Sequence, residues 1–284
     1  IFFWKLIGLV LSFSIQIFIA RVIGLGNFGV WNTAFSWMQI ILIVSLAGNA
    51  KLLLRDASFN EGAYNQFIIT SIQVVVTYTI VFFLFTFSLH YSSFIISSEL
   101  LAAILITFFL GLFKLLSRLQ TSILQASQKN YLCIFITRIV LPTTNAIFIG
   151  LLFFKLGNRV EILASYPIAE LVAVMVFMYF IIKSTKNVNW KWRPKIYFNF
   201  HFWLNDITKS LLPFINIAII SFLLSEEDIG GYSASFRVSE LLMFFTSIFI
   251  SFSPIIVRYI KENRWKELET SYLAINKLLL VIVF

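Results

Sequence analysis

Long runs of apolar residues, broken at intervals by small clusters of charge, set the plan of this chain. A membrane-crossing helix needs about 20 mostly apolar residues. Nine runs meet or approach that length, at about 1–20, 29–50, 66–89, 99–125, 131–154, 162–183, 206–225, 232–257 and 270–284, the last cut short. Barrel strands would be about 10 residues long and would alternate in polarity. These runs do neither. In hydrocarbon every backbone N–H and C=O must bond within the protein, and a helix satisfies them inside its own segment. The pattern therefore predicts an all-α integral membrane protein, a polytopic helix bundle.

The runs also repeat. Phe28-Gly29-Val30-Trp31-Asn32-Thr33-Ala34-Phe35 aligns with Ile229-Gly230-Gly231-Tyr232-Ser233-Ala234-Ser235-Phe236 at an offset of 201 residues. The same offset places Gln39 on Glu240 and Tyr64 on Trp265. An offset held across a turn and its following helix points to duplicated halves. Six runs precede the second copy, so both copies have the same orientation, a parallel repeat about an axis along the membrane normal. The expected layout is a six-helix lobe over 1–184, a cytoplasmic interfacial linker over 185–205, and the start of a second lobe over 206–284. The chain starts on Ile1 and stops at Phe284 inside an apolar run, and is read as lacking both true ends. The first run has no small-residue cleavage site behind it, so it is expected to be a span rather than a signal peptide.

Composition strengthens the reading. The 284 residues are 60% hydrophobic and 12% charged, about half the charge of a soluble domain. A water-facing surface cannot be built from so few charges. The formal net charge is +9, and its distribution reports topology. The sixth and eighth loops are rich in Lys and Arg, the second holds Lys51 and Arg55 and the fourth Lys129, whereas the first holds Arg21, the third none, the fifth Lys155 and Arg159, and the seventh the acidic Glu226-Glu227-Asp228. By the positive-inside rule the even loops and the N-terminus are cytoplasmic. The sixth loop, Asn187 to Trp203, mixes cations with aromatics and is expected to lie along the inner membrane surface. A nucleic-acid partner is not expected between two spans. The one cysteine, Cys133, cannot form an internal disulfide and has no metal-ligand spacing.

Ionisable residues inside a span cost at least about 2.5–3.5 kcal/mol each, so they face partners or a wet cavity. The fourth run carries Lys114, Arg118, Thr121 and Gln125 on one helix face, with no acid within a turn of either cation. Lys114 is about 18 Å and Arg118 about 12 Å from the polar end of the helix at 1.5 Å per residue. Two readings stand: a cationic wall facing an anionic ligand, or stems that snorkel to the headgroups. Arg138, Pro142 and Asn145 share a face of the fifth run, where Pro142 is expected to kink the helix. Glu170 in the sixth run is a carboxylate that either pairs with a cation or titrates. Asn32, Ser36 and Gln39 match Ser233, Arg237 and Glu240 across the repeat, so a neutral stripe in one half answers a charged one in the other. Ser12, Gln16 and Asn216 are further polar candidates, with interhelical packing the plainer account of them.

Signatures of catalysis are missing. There is no Walker loop and no His/Cys/Asp cluster at metal spacing, so no cofactor or metal and no enzymatic activity are expected. Gly24-x-Gly26-x-x-Gly29 matches the dinucleotide string only formally, because it joins two spans rather than a strand and a helix.

The segment Ile-Ala-Arg-Val-Ile-Gly-x-x-x-Phe-Gly-Val-Trp (19–31), with Gly-Tyr-Ser-Ala-Ser-Phe-Arg-Val-Ser-Glu (231–240), resembles the polysaccharide-exporter branch of the multidrug/oligosaccharidyl-lipid/polysaccharide superfamily. It most resembles the Wzx-type O-antigen or capsule repeat-unit flippases of bacteria. The resemblance covers essentially the whole chain, although family members usually have twelve or more spans in two lobes. It implies flipping of an undecaprenyl-diphosphate-linked oligosaccharide across the bacterial inner membrane by alternating access. The partners it implies are that lipid-linked substrate, membrane lipids, and the polysaccharide polymerase and chain-length machinery. Under it Lys114, Arg118, Arg138 and Arg237 would attract the diphosphate or acidic sugars, with Asn32 and Gln39 lining the cavity. Arg21 would act at the exit or serve as a headgroup anchor, and Glu170 or Glu240 would couple an ion. Rival readings are a drug/cation antiporter of the same superfamily, a polymerase or ligase acting on the same lipid-linked glycan, and a structural scaffold with no transport.

Overall fold

The computed structural model describes residues 2–59, 63–91, 98–127, 129–156, 160–184, 200–239, 264–270 and 272–273. Among them every regular element is helical. Ile1–Gly231 form one compact unit and Tyr232–Phe284 a second. The first contains α1 (Phe2–Leu46), α2 (Asn49–Phe59), α3 (Ala63–Tyr91), α4 (Ser98–Ala126), α5 (Asn130–Phe135), α6 (Leu141–Leu156), α7 (Ser165–Ser184), α8 (Phe200–Ser210) and α9 (Leu212–Ile220). Residues 226–231 are helical and end it; in the second unit 232–239 and 265–270 are helical.

Five described helical segments are long and apolar enough to cross a membrane: Leu6–Leu46, Gln66–Leu89, Ser98–Ala126, Asn130–Lys155 and Val160–Lys183. The first, at 41 residues, is about twice what one crossing needs. Its backbone leaves helical geometry at Gly24, with φ 81° and ψ 162°. That φ is open to glycine and strained for any residue with a Cβ. The sharp turn expected through Gly24, Gly26 and Gly29 is thus made at Gly24, and the other two glycines are helical. A second break, at Ala47 and Gly48 with φ of 47° and 76°, separates α1 from the short α2.

The seventh apolar run departs from the expected single span. It folds as α8 and α9, which take in Phe200 to Asn205 from the expected linker and are followed by turns at 221–223. Pro213 lies in the first turn of α9. With no N–H to donate and a ring that crowds the carbonyl four residues earlier, it favours a helix start over a helix interior. The expected eighth span is described to residue 239; the rest of it, the ninth, and most of the sixth loop lie outside the described residues.

The expected kink at Pro142 takes a specific form. Residues Ile136–Val140 make one π-helical turn, and the Leu141 N–H bonds to the Ile136 carbonyl five residues back. A widened turn moves the Arg138 carbonyl away from the proline ring, which is how a π-bulge accommodates a lost i→i−4 bond. On the other side Arg138 packs against Gly8 so closely that a Cβ there would overlap its carbonyl oxygen.

α4 is the centre of the unit, packed on α1, α2, α3 and α7. α7 presents buried Ser165, Ala169, Ala173, Phe177 and Ile181 at four-residue steps. Small residues in that row let two backbones approach, the main source of cohesion where lipid is the solvent. On α3 the buried row Phe67, Thr70, Val74, Tyr78 and Phe82 is backed by exposed Ile72, Val76, Ile80, Phe83 and Phe87, an outer surface suited to hydrocarbon rather than water. Trp4 meets Phe135 at 5.9 Å and Phe18 meets Phe153 at 6.0 Å between ring centres, so the first part of α1 runs parallel to α5 and α6.

Candidate functional site

The cation face of α4 turns partly toward α1. Lys114 is half-buried, with Nζ 4.9 Å from the ring centre of Phe35. One turn on, half-buried Arg118 donates from Nη2 to Gln39 Oε1 at 3.5 Å. The remaining two residues of the stripe behave differently. Thr121 bonds back to the Ser117 carbonyl at 2.7 Å, and Gln125 is exposed.

No acid lies within a turn of these cations along α4, and the packing brings one from another helix to the neighbouring Ser117. Glu170 of α7 is 6% exposed and accepts a 2.5 Å hydrogen bond from Ser117 Oγ, next door to Arg118. Asp206 of α8 is ion-paired with Lys51 of α2. Two groupings result: Gln39 of α1, Ser117 and Arg118 of α4 and Glu170 of α7 on one side, and Lys51 of α2 with Asp206 of α8 on the other. Glu170 is bonded to Ser117 rather than ion-paired with a Lys or Arg among the described residues; Asp206 was not singled out from sequence. The contacts differ in strength. A hydrogen bond to a buried charge is worth about 1.5–3 kcal/mol. Lys51 and Asp206 are partly exposed, 35% and 25% at the side chain, and such a pair contributes about 0–1 kcal/mol.

The polar stripe of α1 is buried: Asn32, Ser36 and Gln39 are 2%, 0% and 1% exposed. Asn32 Nδ2 is turned to its own helix, donating to the Phe28 carbonyl at 2.7 Å. Among the described residues the Ser36 hydroxyl and the Gln39 amide nitrogen have no hydrogen-bond partner. Ser12 and Gln16 are half-buried, and Asn216 is exposed. Arg21, near the Gly24 break, and Arg138, in the π turn, are also exposed. Arg237 belongs to the second unit and is half-buried, with buried Ser233 one turn before it. Glu240 lies outside the described residues. An apolar cavity between α1, α3, α4 and the turn after α9, lined by Trp37, Phe82, Phe85, Ile104 and Phe222, contains none of the predicted polar residues.

One further contact joins the two matched glycines. A Cβ on Gly29 would overlap the backbone carbonyl of Glu226, and a Cβ on Gly230 would overlap that of Leu25. Leu25 and Glu226 are themselves related by the 201-residue offset. The contact is thus reciprocal: i meets j′ as j meets i′, the pattern a two-fold axis produces.

These long apolar helices, five of them able to cross a membrane, define a polytopic α-helical membrane protein. No protein-family model and no curated protein sequence matches the chain. In fold the chain is similar to a solved structure described as "protein A", with a TM-score of 0.62 and 16% identity over 89% of this chain. The match takes in 63% of that structure's chain.

Proposed function

We propose that this chain is part of a flippase that carries undecaprenyl-diphosphate-linked oligosaccharide repeat units across the bacterial inner membrane. The observation that carries the reading is the placement of Lys114 and Arg118 inside an apolar helix bundle, one against Phe35 and the other against Gln39. Two cations held one turn apart on the inner face of a crossing helix suit a ligand with two adjacent negative charges. The reciprocal packing of Gly29 and Gly230 supports duplicated, parallel lobes that rock about a central cavity. In this reading the N-terminus and even loops face the cytoplasm, Arg237 supplies a cation from the second lobe, and Arg21 acts at the exit. Arg138 attracts substrate from the π turn, and Glu170 or Glu240 couples an ion. The protein works beside the polymerase and chain-length machinery and performs no bond chemistry itself.

A drug/cation antiporter is the second reading, and buried Glu170 favours it, since a cationic substrate needs a carboxylate in the bundle. The test uses the full-length parent protein in its host. Surface polysaccharide and inner-leaflet lipid-linked precursor are measured for Lys114→Ala/Arg118→Ala at normal protein level. The flippase reading expects lost surface polymer and accumulated precursor. Unchanged export would reduce the stripe to structural anchors. An unchanged precursor distribution in the gene deletion would remove the flippase reading itself, and lost cation extrusion there would favour the antiporter.

A further inference from the structure

The Lys51–Asp206 ion pair joins two short helices, each set off from its long neighbour by a break in the backbone. α2, of 11 residues, follows the positive-φ pair Ala47 and Gly48 at the end of α1. α8, also of 11 residues, is separated from α9 by a turn at residue 211, just before Pro213. From Asp206 to Gly230 the chain keeps touching the second half of α1 and α2. At one end Gly29 and Gly230 bring main chains together. Between the ends Phe35 meets Phe214 and Trp37 meets Phe222, at 6.1 and 5.7 Å between ring centres. Asp206 and Lys51 close the other end. These contacts differ in what their separation costs. Parting the rings or the close-packed glycines gives up apolar burial and dispersion, and water returns nothing for it. The charged groups are already 25% and 35% exposed at the side chain, and water hydrates both as they part, so this pair is the weakly held one.

We propose that the Lys51–Asp206 pair is a reversible latch: it closes the cytoplasmic end of the seam between α8–α9 and α1–α2, and it must open for transport to proceed. The inference rests on the flippase reading above and adds which contact opens on the side where substrate is loaded. In that reading Lys51 belongs to a cytoplasmic loop, and α8 and α9 begin the second lobe. The breaks at 47–48 and at 211 let α2 and α8 swing without bending α1 or α9, as hinge positions at element ends do. The glycine contact at the far end holds while the ion pair parts, so one end of the seam opens with the other shut, as alternating access requires. A partly exposed pair favours the closed arrangement by about two- to fivefold. That is enough to bias the seam and too little to trap it.

The full-length protein is tested first by exchanging the charges: Lys51→Asp, Asp206→Lys, and the two together. Each single change sets like charges against each other, and the double change restores an ion pair in reverse. The latch predicts amide hydrogen exchange in 200–210 about two- to fivefold faster in either single variant, and within about twofold of wild type in the double. Lys51→Cys/Asp206→Cys is then treated in host cells with a membrane-permeant bifunctional thiosulfonate short enough to span an ion pair. Bridging is verified by mass, and surface polysaccharide and inner-leaflet precursor made afterwards are measured. A latch bridged shut should stop export and accumulate precursor, with recovery on adding a thiol reductant. Wild type and the two single-cysteine variants, given the same reagent, should export as before. Normal export after bridging makes the pair a static contact and overturns the latch, with the flippase reading left standing. Equal exchange in wild type and both single charge variants overturns it too, as does a double variant no closer to wild type than the singles. Cysteines that each react but never bridge would contradict the pairing itself. An unchanged precursor distribution in the gene deletion removes the flippase reading, and the latch with it.

Discussion

The contact between Gly29 and Gly230 can be tested by filling it. Each glycine is helical, so replacing it with Ala removes backbone freedom from the unfolded chain, a gain of about 0.5–1 kcal/mol in an unobstructed helix. Here the new methyl groups overlap main-chain carbonyls, of Glu226 and Leu25 respectively. A carbonyl within a helix cannot rotate away as a side chain does. The segments must part by about 1 Å or more to restore ordinary contact near about 3.5 Å. Overpacking of this kind costs about 1–3 kcal/mol, leaving a net loss of about 1–2 kcal/mol after the helix gain. That corresponds to a melting midpoint lowered by roughly 2–8 °C for a chain of this size. Once one methyl has separated the segments the second meets less resistance. Gly29→Ala/Gly230→Ala should therefore cost less than the two single losses together, by about 0.5 kcal/mol or more. Thermal melting in detergent measures all three, with Gly150→Ala and Gly231→Ala as references, since a Cβ at either position meets nothing within 4 Å. Losses no larger than the references would refute the close approach. Strict additivity would refute the shared, reciprocal interface.

Two other substitutions read the packing around α4. Gly111→Ala places a Cβ 2.5 Å from Tyr78 Cζ and 3.0 Å from Met38 Cγ, and both side chains are fully buried; a melting loss of about 1–3 kcal/mol is expected. Gly111→Ala/Tyr78→Phe should recover only part of that loss, because the ring carbon remains. Cys133 is 3% exposed, with Sγ 3.7 Å from the Thr121 carbonyl, so a maleimide should leave the native protein unlabelled and react at the unfolding midpoint; rapid native labelling would contradict the α4–α5 packing.

Several features of this fold are visible along the chain because lipid imposes a local rule. Apolar runs of helix length with self-satisfied backbones foretell the crossing helices α3, α4 and α7, and the Gly24 turn follows from a glycine cluster between two such runs. Pro142 was legible as a disturbance, but its resolution as a π turn depends on how Gly8 and Arg138 approach, which no local pattern specifies. Pro213 carried the same warning inside the seventh run, and there it started a new helix.

The charged cluster shows the sharper limit. Helical spacing alone puts Lys114 and Arg118 on one face, and hydropathy alone makes their placement costly. Those are properties of one helix, determined by 3.6 residues per turn. Which groups answer the charge is a property of three dimensions. Ser117 reaches Glu170, Arg118 reaches Gln39, and Lys51 reaches Asp206, through pairings between helices far apart in sequence. By itself the sequence determined that this protein lives among lipids as a bundle of apolar helices, one of which carries two cations on a single face. The tertiary structure decided that Glu170 comes to Ser117, beside Arg118, and Asp206 to Lys51, because Coulomb energies fall off with distance in space and take no account of distance along the chain.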